Sequence, residues 1–168
     1  MEKKKFNDIF PNQYTEHHVE PRFSDYGYNG YLQESKYCIF FEYARFQIAR
    51  EAGLYQCFYN MDREDEIFFP VIEMECEYLK PVDLNVKLAV RTTLYPPVLP
   101  RLDFMQSMLN RETKEVLTTA VVKVAIVTKK RGLLMHLEEE MSKCILTYLD
   151  SLNVSDNQTG ERKQGNLI

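Results

Sequence analysis

A strongly apolar segment from Ser35 to Gly53 constrains the fold more than any other part of the chain. Its apolar residues recur at every third or fourth position, as they do on one face of an α-helix. Ser35 is predicted as the N-cap, and Gly53 is predicted to end the helix in the left-handed conformation. A helix with so bulky an apolar face has to be enclosed by other elements. The residues of that face are Tyr37, Phe40, Phe41, Ala44 and Ile48.

After residue 66, apolar residues recur at every second position instead of every third or fourth, which predicts β-strands. Within the segment Ile72–Tyr78, apolar residues alternate with three glutamates. Short polar or proline-containing turns separate the segments that follow. Long consecutive strands joined by short turns predict a four-strand antiparallel meander. Pro21 marks an earlier segment, 17–23, as a weaker edge strand. The later predicted strands are 84–94, 102–108 and 116–128, and a second helix is predicted at 137–149.

These elements predict one α+β domain over residues 1–150, with a curved antiparallel sheet of about five strands wrapped around the long helix. A chain of 168 residues is the usual size for one core. Residues 151–168 are polar, which predicts a flexible tail.

Composition and charge exclude several classes of protein. Apolar residues make up 45% of the chain and the net charge is −4, so nothing indicates a nucleic-acid partner. No apolar run is long enough to span a membrane, and the polar residues after the basic start do not resemble a signal peptide, so we expect a cytoplasmic protein. The four cysteines, Cys38, Cys57, Cys76 and Cys144, are too scattered for a metal site and are interpreted as buried small hydrophobes. No metal and no cofactor are expected.

The segment before the helix, Arg22 to Gly30, followed by Tyr37 and by Phe41 to Arg45, resembles the opening of the 4-hydroxybenzoyl-CoA thioesterase-like family. A second stretch, Glu75 to Pro81, is similar to the family's strand after the helix, and the resemblance covers about Val19 to Thr128. It implies the hotdog fold and the hydrolysis of acyl thioesters carried by CoA or by a carrier protein.

The chain departs from the family's motif at the residue that matters most for catalysis. The family carries Asp-x-Asp-x-x-Gly, often followed by His-x-Asn-Asn; here Asp25 is the first acid and Gly30 the glycine. The second acid, catalytic in the family, falls on Gly27, and the histidine falls on Tyr31. Gln33 and Glu34 stand where asparagines are frequent.

The resemblance also implies where the chemistry takes place. Thioester hydrolysis needs a group that activates water and donors that stabilise the oxyanion. The family takes those donors from backbone N–H groups at the helix start, here around Tyr31 to Ser35. Asp25 and Glu34 are the candidate catalytic carboxylates, but Asp25 equally suits a loop cap and Glu34 a helix dipole partner.

The remaining candidate residues also have two interpretations each. Asn29, Gly30, Tyr31 and Ser35 are candidates for positioning the substrate carbonyl, although Asn29 equally suits a turn. Tyr26, Gly27 and Tyr28 are candidates for an acyl channel, with Gly27 either making room for the acyl group or serving as a turn residue. Glu42 is interpreted as an ion-pair partner of Arg45 or of a partner strand.

Two functions therefore remain open, namely a thioester hydrolase and an acyl-thioester-binding protein with little or no turnover. A histidine-dependent dehydratase is disfavoured, because His17 and His18 precede the motif. The family pairs its sheets edge to edge, so a homodimer or a dimer of dimers is expected.

Overall fold

The computed structural model describes residues 14–56, 65–98, 100–137 and 139–161. Residues 57–64, with Cys57 among them, lie outside these ranges. The helices are α1, Glu34–Glu51, and α2, Glu139–Glu161, and a short 3₁₀ turn, Phe23–Asp25, precedes α1. The strands are β1 Thr15–Val19, β2 Ile67–Phe68, β3 Val71–Tyr78, β4 Leu88–Leu94, β5 Arg101–Asn110, β6 Val116–Ala125, β7 Val127–Thr128 and β8 Gly132–Leu133.

Five strands form one antiparallel sheet in the order β1-β4-β5-β6-β3. The predicted meander is confirmed for β4, β5 and β6, which pair in sequence. The placement of the first meander strand is wrong, because β3 pairs with β6 at the far edge instead of with β4. The chain between β3 and β4 crosses the start of α1 on its way, where Leu32 N donates to Val82 O at 2.8 Å. β3 is therefore an edge strand.

The strand predicted at 84–94 begins later, at Leu88. Asn85 N donates to the Asp83 carboxylate at 2.9 Å, and Val86 N donates to Asp83 O at 3.3 Å. This local turn competes with the extended conformation that the apolar alternation favours.

Helix α1 packs on one face of the sheet and forms its core with the side chains of that face. Four of the five residues predicted for its apolar face are buried, and Phe40 is partly buried against the core. Burial of Phe41 and Ile48, at 0% and 1% exposure, contributes roughly 1.5–3 kcal/mol each. A five-stranded antiparallel sheet holding a long helix is the hotdog arrangement that the sequence resemblance implies, and that expectation is confirmed.

The two ends of α1 differ from each other in how well they were predicted. Gly53 has a φ of +72°, so the left-handed ending is confirmed. The N-cap is Gln33 instead of Ser35, and it makes no side-chain capping bond. Ser35 thus lies inside the first turn. Cys38 is exposed on this helix, which corrects its interpretation as a buried residue.

One fully buried amide fastens α1 to the sheet. Gln106 on β5 donates through Nε2 to Phe41 O and to Thr92 Oγ1, at 2.9 Å each. Its Oε1 accepts a hydrogen bond from Arg45 Nη1 at 2.7 Å. A buried amide with all these bonds made is strongly position-specific, because moving it leaves polar groups without partners.

The second helix covers another part of the core. Met141, Ile145 and Tyr148 are buried, and Tyr148 OH donates to Thr15 Oγ1 at 3.3 Å. Burial raises the pKa of Tyr148 to about 12. The helix continues past Leu149, where the sequence pattern predicts its end, to Glu161. Within the described residues, neither helix is long and apolar enough to cross a bilayer.

Candidate active site at the start of the central helix

The segment before α1 folds into a tight hairpin. Tyr26 and Leu32 face each other across it, with Gly27 N donating to Tyr31 O at 2.8 Å and Gly30 N donating to Gly27 O at 3.0 Å. Gly30 has a φ of +78°, a conformation that favours glycine at this turn. The hairpin therefore fixes the direction from which the chain enters the helix.

Asn29 closes the tip of this hairpin. Its Oδ1 accepts a hydrogen bond from Tyr31 N at 3.2 Å. The same oxygen lies 3.0 Å from the place where a Cβ on Gly27 would stand. Asn29 thus forms the turn that was one of its two interpretations, and its Oδ1 borders the space beside Gly27.

Asp25 is engaged with its own loop. Its Oδ2 accepts a hydrogen bond from Arg22 N at 2.8 Å, and its Oδ1 lies 3.0 Å from Lys36 Nζ. The bond from Arg22 N, followed by the Lys36 ammonium, lowers the pKa of Asp25. This geometry is that of a loop cap that ties the 3₁₀ turn to the first turn of α1.

Most backbone donors at the helix start already have acceptors. Tyr31 N bonds Asn29, Leu32 N bonds Val82 O, and Gln33 N bonds Asp25 O at 3.0 Å. Lys36 N turns back to Gln33 O at 2.9 Å. The first N–H groups of a helix have no intrahelical acceptor. Among the described residues, the N–H groups of Glu34 and Ser35 are the donors left free at this helix start.

Glu34 stands beside those two donors. Its side chain is exposed at the first position of α1 and has no hydrogen bond or ion pair with the described residues. Tyr37 and Tyr78 pack edge to face next to it, with ring centroids 5.1 Å apart. Burial raises the pKa of both phenols, and the nearby Glu34 carboxylate contributes to the same increase.

Gln33 organises the helix start in a way that sequence reasoning missed. Its Nε2 donates to Ser24 O at 3.3 Å and to Tyr26 O at 3.1 Å, so this side chain ties the start of α1 to the first arm of the hairpin. The apolar periodicity gave no signal for this role, because Gln33 belongs to neither the helix face nor a strand.

The three tyrosines of the loop occupy different environments. Tyr26 is half-buried against the core, and burial raises its pKa. Tyr28 is fully exposed and Tyr31 is 45% exposed. Of the three tyrosines, only Tyr26 therefore packs against the core, while Tyr28 and Tyr31 expose their rings to solvent.

An open groove of about 600 Å³ lies beside Asp25 on the β1 side of α1. The groove is lined by charged side chains of both signs and by an apolar part. The basic residues are His18, Arg22 and Lys36, the acidic ones are Glu20 and Asp25, and Ile39, Phe40 and Tyr43 are apolar or aromatic. No three His, Cys, Asp or Glu side chains in the described ranges lie close enough together to hold a metal ion.

Comparison with known proteins agrees with this architecture. The family model described as thioesterase-like superfamily matches residues 20–145, about three quarters of the chain. The chain belongs to the thioesterase-like superfamily. A search of curated proteins finds no match.

Several solved structures share the fold of this thioesterase-like chain. A probable thioesterase from Bartonella henselae is 21% identical with a TM-score of 0.65, over 75% of this chain and 99% of that one. A thioesterase from Thermus thermophilus, complexed with coenzyme A and Zn, is 17% identical with a TM-score of 0.66, over 83% and 98%. A 1,4-dihydroxy-2-naphthoyl-CoA thioesterase from Synechocystis is 12% identical with a TM-score of 0.68, over 83% and 98%. At these identities the likeness establishes the hotdog fold of the chain.

Proposed function

We propose that this protein hydrolyses acyl thioesters, with CoA or an acyl carrier as the leaving group, at the N-terminus of α1. The observation that carries the proposal is the pair of free N–H groups at Glu34 and Ser35 beside the unpaired Glu34 carboxylate. Two N–H groups that point away from a helix start suit the negative oxygen that develops on a thioester carbonyl. Family membership and the thioesterase neighbours support the same class of reaction.

In this proposal Glu34 takes the proton of the attacking water as the water oxygen bonds to the carbonyl carbon. The oxyanion is held by the N–H groups of Glu34 and Ser35 until the tetrahedral intermediate collapses. The carbon–sulfur bond then breaks, and Glu34 returns its proton to the leaving thiolate, which departs as the free thiol. Asp25, Asn29, Gly30 and Gln33 position the loop.

The groove beside Asp25 is a suitable place for the carrier. Arg22 and Lys36 bring positive charge close to the helix start, which suits the phosphates of coenzyme A, while Glu20 and Asp25 line the same groove and Asp25 is paired with Lys36. Two of the similar solved structures are complexes with coenzyme A, which supports a CoA thioester as the substrate.

We further propose that the active unit is a homodimer or a dimer of dimers joined along β3. This strand is last in the sheet order, so one row of its backbone groups has no neighbour in the sheet of the described chain. Val71 and Ile72 are 45% and 58% exposed at one end, and Tyr78 is 50% exposed at the other, near Glu34. A second copy on this edge would cover these side chains and complete the walls that Tyr28 and Tyr31 do not form alone.

The test is hydrolysis of a panel of acyl-CoAs of different chain length, followed by release of free thiol. Glu34→Gln is expected to lower kcat by about 10²- to 10⁴-fold, the usual effect of removing a general base. Glu139→Gln, which removes an exposed carboxylate from the first turn of α2, is the matched control and should leave kcat unchanged.

The alternative is an acyl-thioester-binding protein without turnover. It is favoured by one observation, namely glycine at the position of the family's catalytic acid together with the engagement of Asp25 by Arg22 and Lys36. Tight binding of acyl-CoAs with no thiol release from any member of the panel would establish the alternative and exclude the hydrolase.

A further inference from the structure

A second cavity lies at the other end of α1, on the flank that faces β3. It has a volume of about 210 Å³ and lies among side chains that come from α1, from the segment after it and from four strands of the large sheet. The innermost walls are 6% exposed or less and entirely apolar: Ile48, Leu54, Leu94, Leu102, Phe104 and Val124. For scale, an engineered apolar cavity of about 150 Å³ binds benzene, so this one suits a ligand of roughly eight carbons.

Arg45 brings the one positive charge to this wall among the described lining residues. Its guanidinium is held in place by the buried Gln106, which accepts from Nη1 at 2.7 Å and is itself fixed by Phe41 O and Thr92. A guanidinium has five N–H donors in a rigid fork, and the described residues supply an acceptor for one nitrogen only. The other donors of Arg45 are thus oriented but not satisfied.

The expected partner of Arg45 is absent. Glu42 lies one turn earlier on α1 and also borders the cavity, yet no ion pair joins Glu42 and Arg45 in the described chain. The predicted intrachain pair is therefore wrong, and only the alternative with a partner strand stays open for Glu42. Burial lowers the pKa of Arg45, the physical sign that its charge has lost solvent. The nearby Glu42 carboxylate raises the same pKa without contacting the guanidinium, so an anion bound directly to Arg45 would stabilise its desolvated charge further.

We propose that this cavity binds a small carboxylic acid with an apolar body of about eight carbons. The apolar part fills the space between Ile48, Phe104 and Val124, and the carboxylate takes the free N–H donors of Arg45. The shape of the cavity selects the apolar part and the guanidinium selects the carboxylate. This binding site is separate from the start of α1 and does not depend on whether the chain hydrolyses thioesters.

The experiment compares octanoate with octanamide, which has nearly the same shape but no charge, by isothermal titration calorimetry at pH 7 and low salt. The folded chain is expected to bind octanoate about 10- to 100-fold more tightly than octanamide. Arg45→Gln should reduce this preference to about one. Arg50→Gln removes the same charge from an exposed position of the same helix outside the cavity, and should leave the preference unchanged.

Two further variants separate binding from a purely structural role of Arg45. Glu42→Gln removes the negative charge at the mouth, so it should strengthen octanoate binding a few-fold and leave octanamide binding unchanged. Ala49→Leu narrows the cavity and should weaken both ligands equally. These variants carry the test even if Arg45→Gln fails to fold, which circular dichroism and thermal unfolding would reveal.

Three results would overturn the proposal. They are equal affinity of the unmodified protein for octanoate and octanamide, an unchanged preference in folded Arg45→Gln, and no detectable binding of either ligand at millimolar concentration. None of these results bears on thiol release from acyl-CoAs, so the site and the proposed hydrolase fail independently.

Discussion

Replacing Gly27 with aspartate tests whether this chain lacks only a carboxylate at the position where the family carries its catalytic acid. The backbone of Gly27 lies outside the left-handed region, so an aspartate adopts it without strain. Its Cβ would meet Asn29 Oδ1 at 3.0 Å and Tyr31 O at 3.7 Å. Only the first contact is too tight, and it involves the end of a flexible side chain.

The cost of the substitution follows from that contact. Asn29 must move by a few tenths of an ångström, which stretches or breaks its 3.2 Å bond from Tyr31 N and costs about 0.5–1.5 kcal/mol. Replacing glycine also restricts the unfolded chain, which returns about 0.4–1 kcal/mol. The net change in the free energy of unfolding is thus about 1 kcal/mol or less, or roughly 2–4 °C in Tm for a chain of this length.

The substitution of Gly27 by aspartate is expected to increase the rate of thioester hydrolysis. In a Glu34→Gln background, which removes the proposed base, Gly27→Asp should raise kcat for acyl-CoA hydrolysis by about 10²- to 10⁴-fold. Gly27→Ala in the same background is the matched control, because it adds the same Cβ contact without the carboxylate. A folded aspartate variant that releases thiol no faster than the alanine variant would refute the view that this chain lacks only a carboxylate at position 27.

Two other predictions concern the loop and the sheet edge. Hydrogen bonding holds the pKa of Asp25 below its ordinary value of 3.8, so its contribution to stability is present at neutral pH and is lost as the pH falls below 3.8 through the lowered pKa. Asp25→Asn should therefore cost about 1 kcal/mol in urea unfolding at pH 7, and the difference from the unmodified chain should vanish in acid; a constant difference at every pH would contradict the cap. Light scattering should give a mass of two or four chains, and Ile72→Lys on the exposed edge should shift it toward one chain. A monomer at every concentration would contradict the proposed assembly.

The parts of the fold that follow from local periodicity were predictable from the sequence. Tyr37, Phe41, Ala44 and Ile48 repeat at helical spacing and lie together on the sheet, since the same apolar side chains set both the pattern and the packing. The strands β4, β5 and β6 follow from alternation and short turns. The position of β3 did not follow, because the crossing of residues 79–87 over the start of α1 depends on a long-range backbone contact that leaves no periodic signal.

The candidate site was predictable in location but not in detail. The family motif directed attention to the helix start, where the free donors of Glu34 and Ser35 lie. The capping of Tyr31 N by Asn29 and the two hydrogen bonds from Gln33 to the loop depend on side-chain rotamers, which a single sequence does not encode in any simple pattern. The cavity beside Arg45 was also missed, because its walls come from segments far apart in the chain.

The buried amide of Gln106 has a mechanical consequence for the whole molecule. A helix that contacts a sheet only through hydrocarbon side chains can shift along its axis between positions of similar energy. The hydrogen bond from Gln106 to the carbonyl of Phe41, midway along α1, prevents such a shift. Moving the helix by one turn would leave the buried amide of Gln106 without this acceptor. The free N–H groups at the start of α1 and the guanidinium of Arg45, one turn after Phe41, are therefore kept in constant register with the strands beneath them.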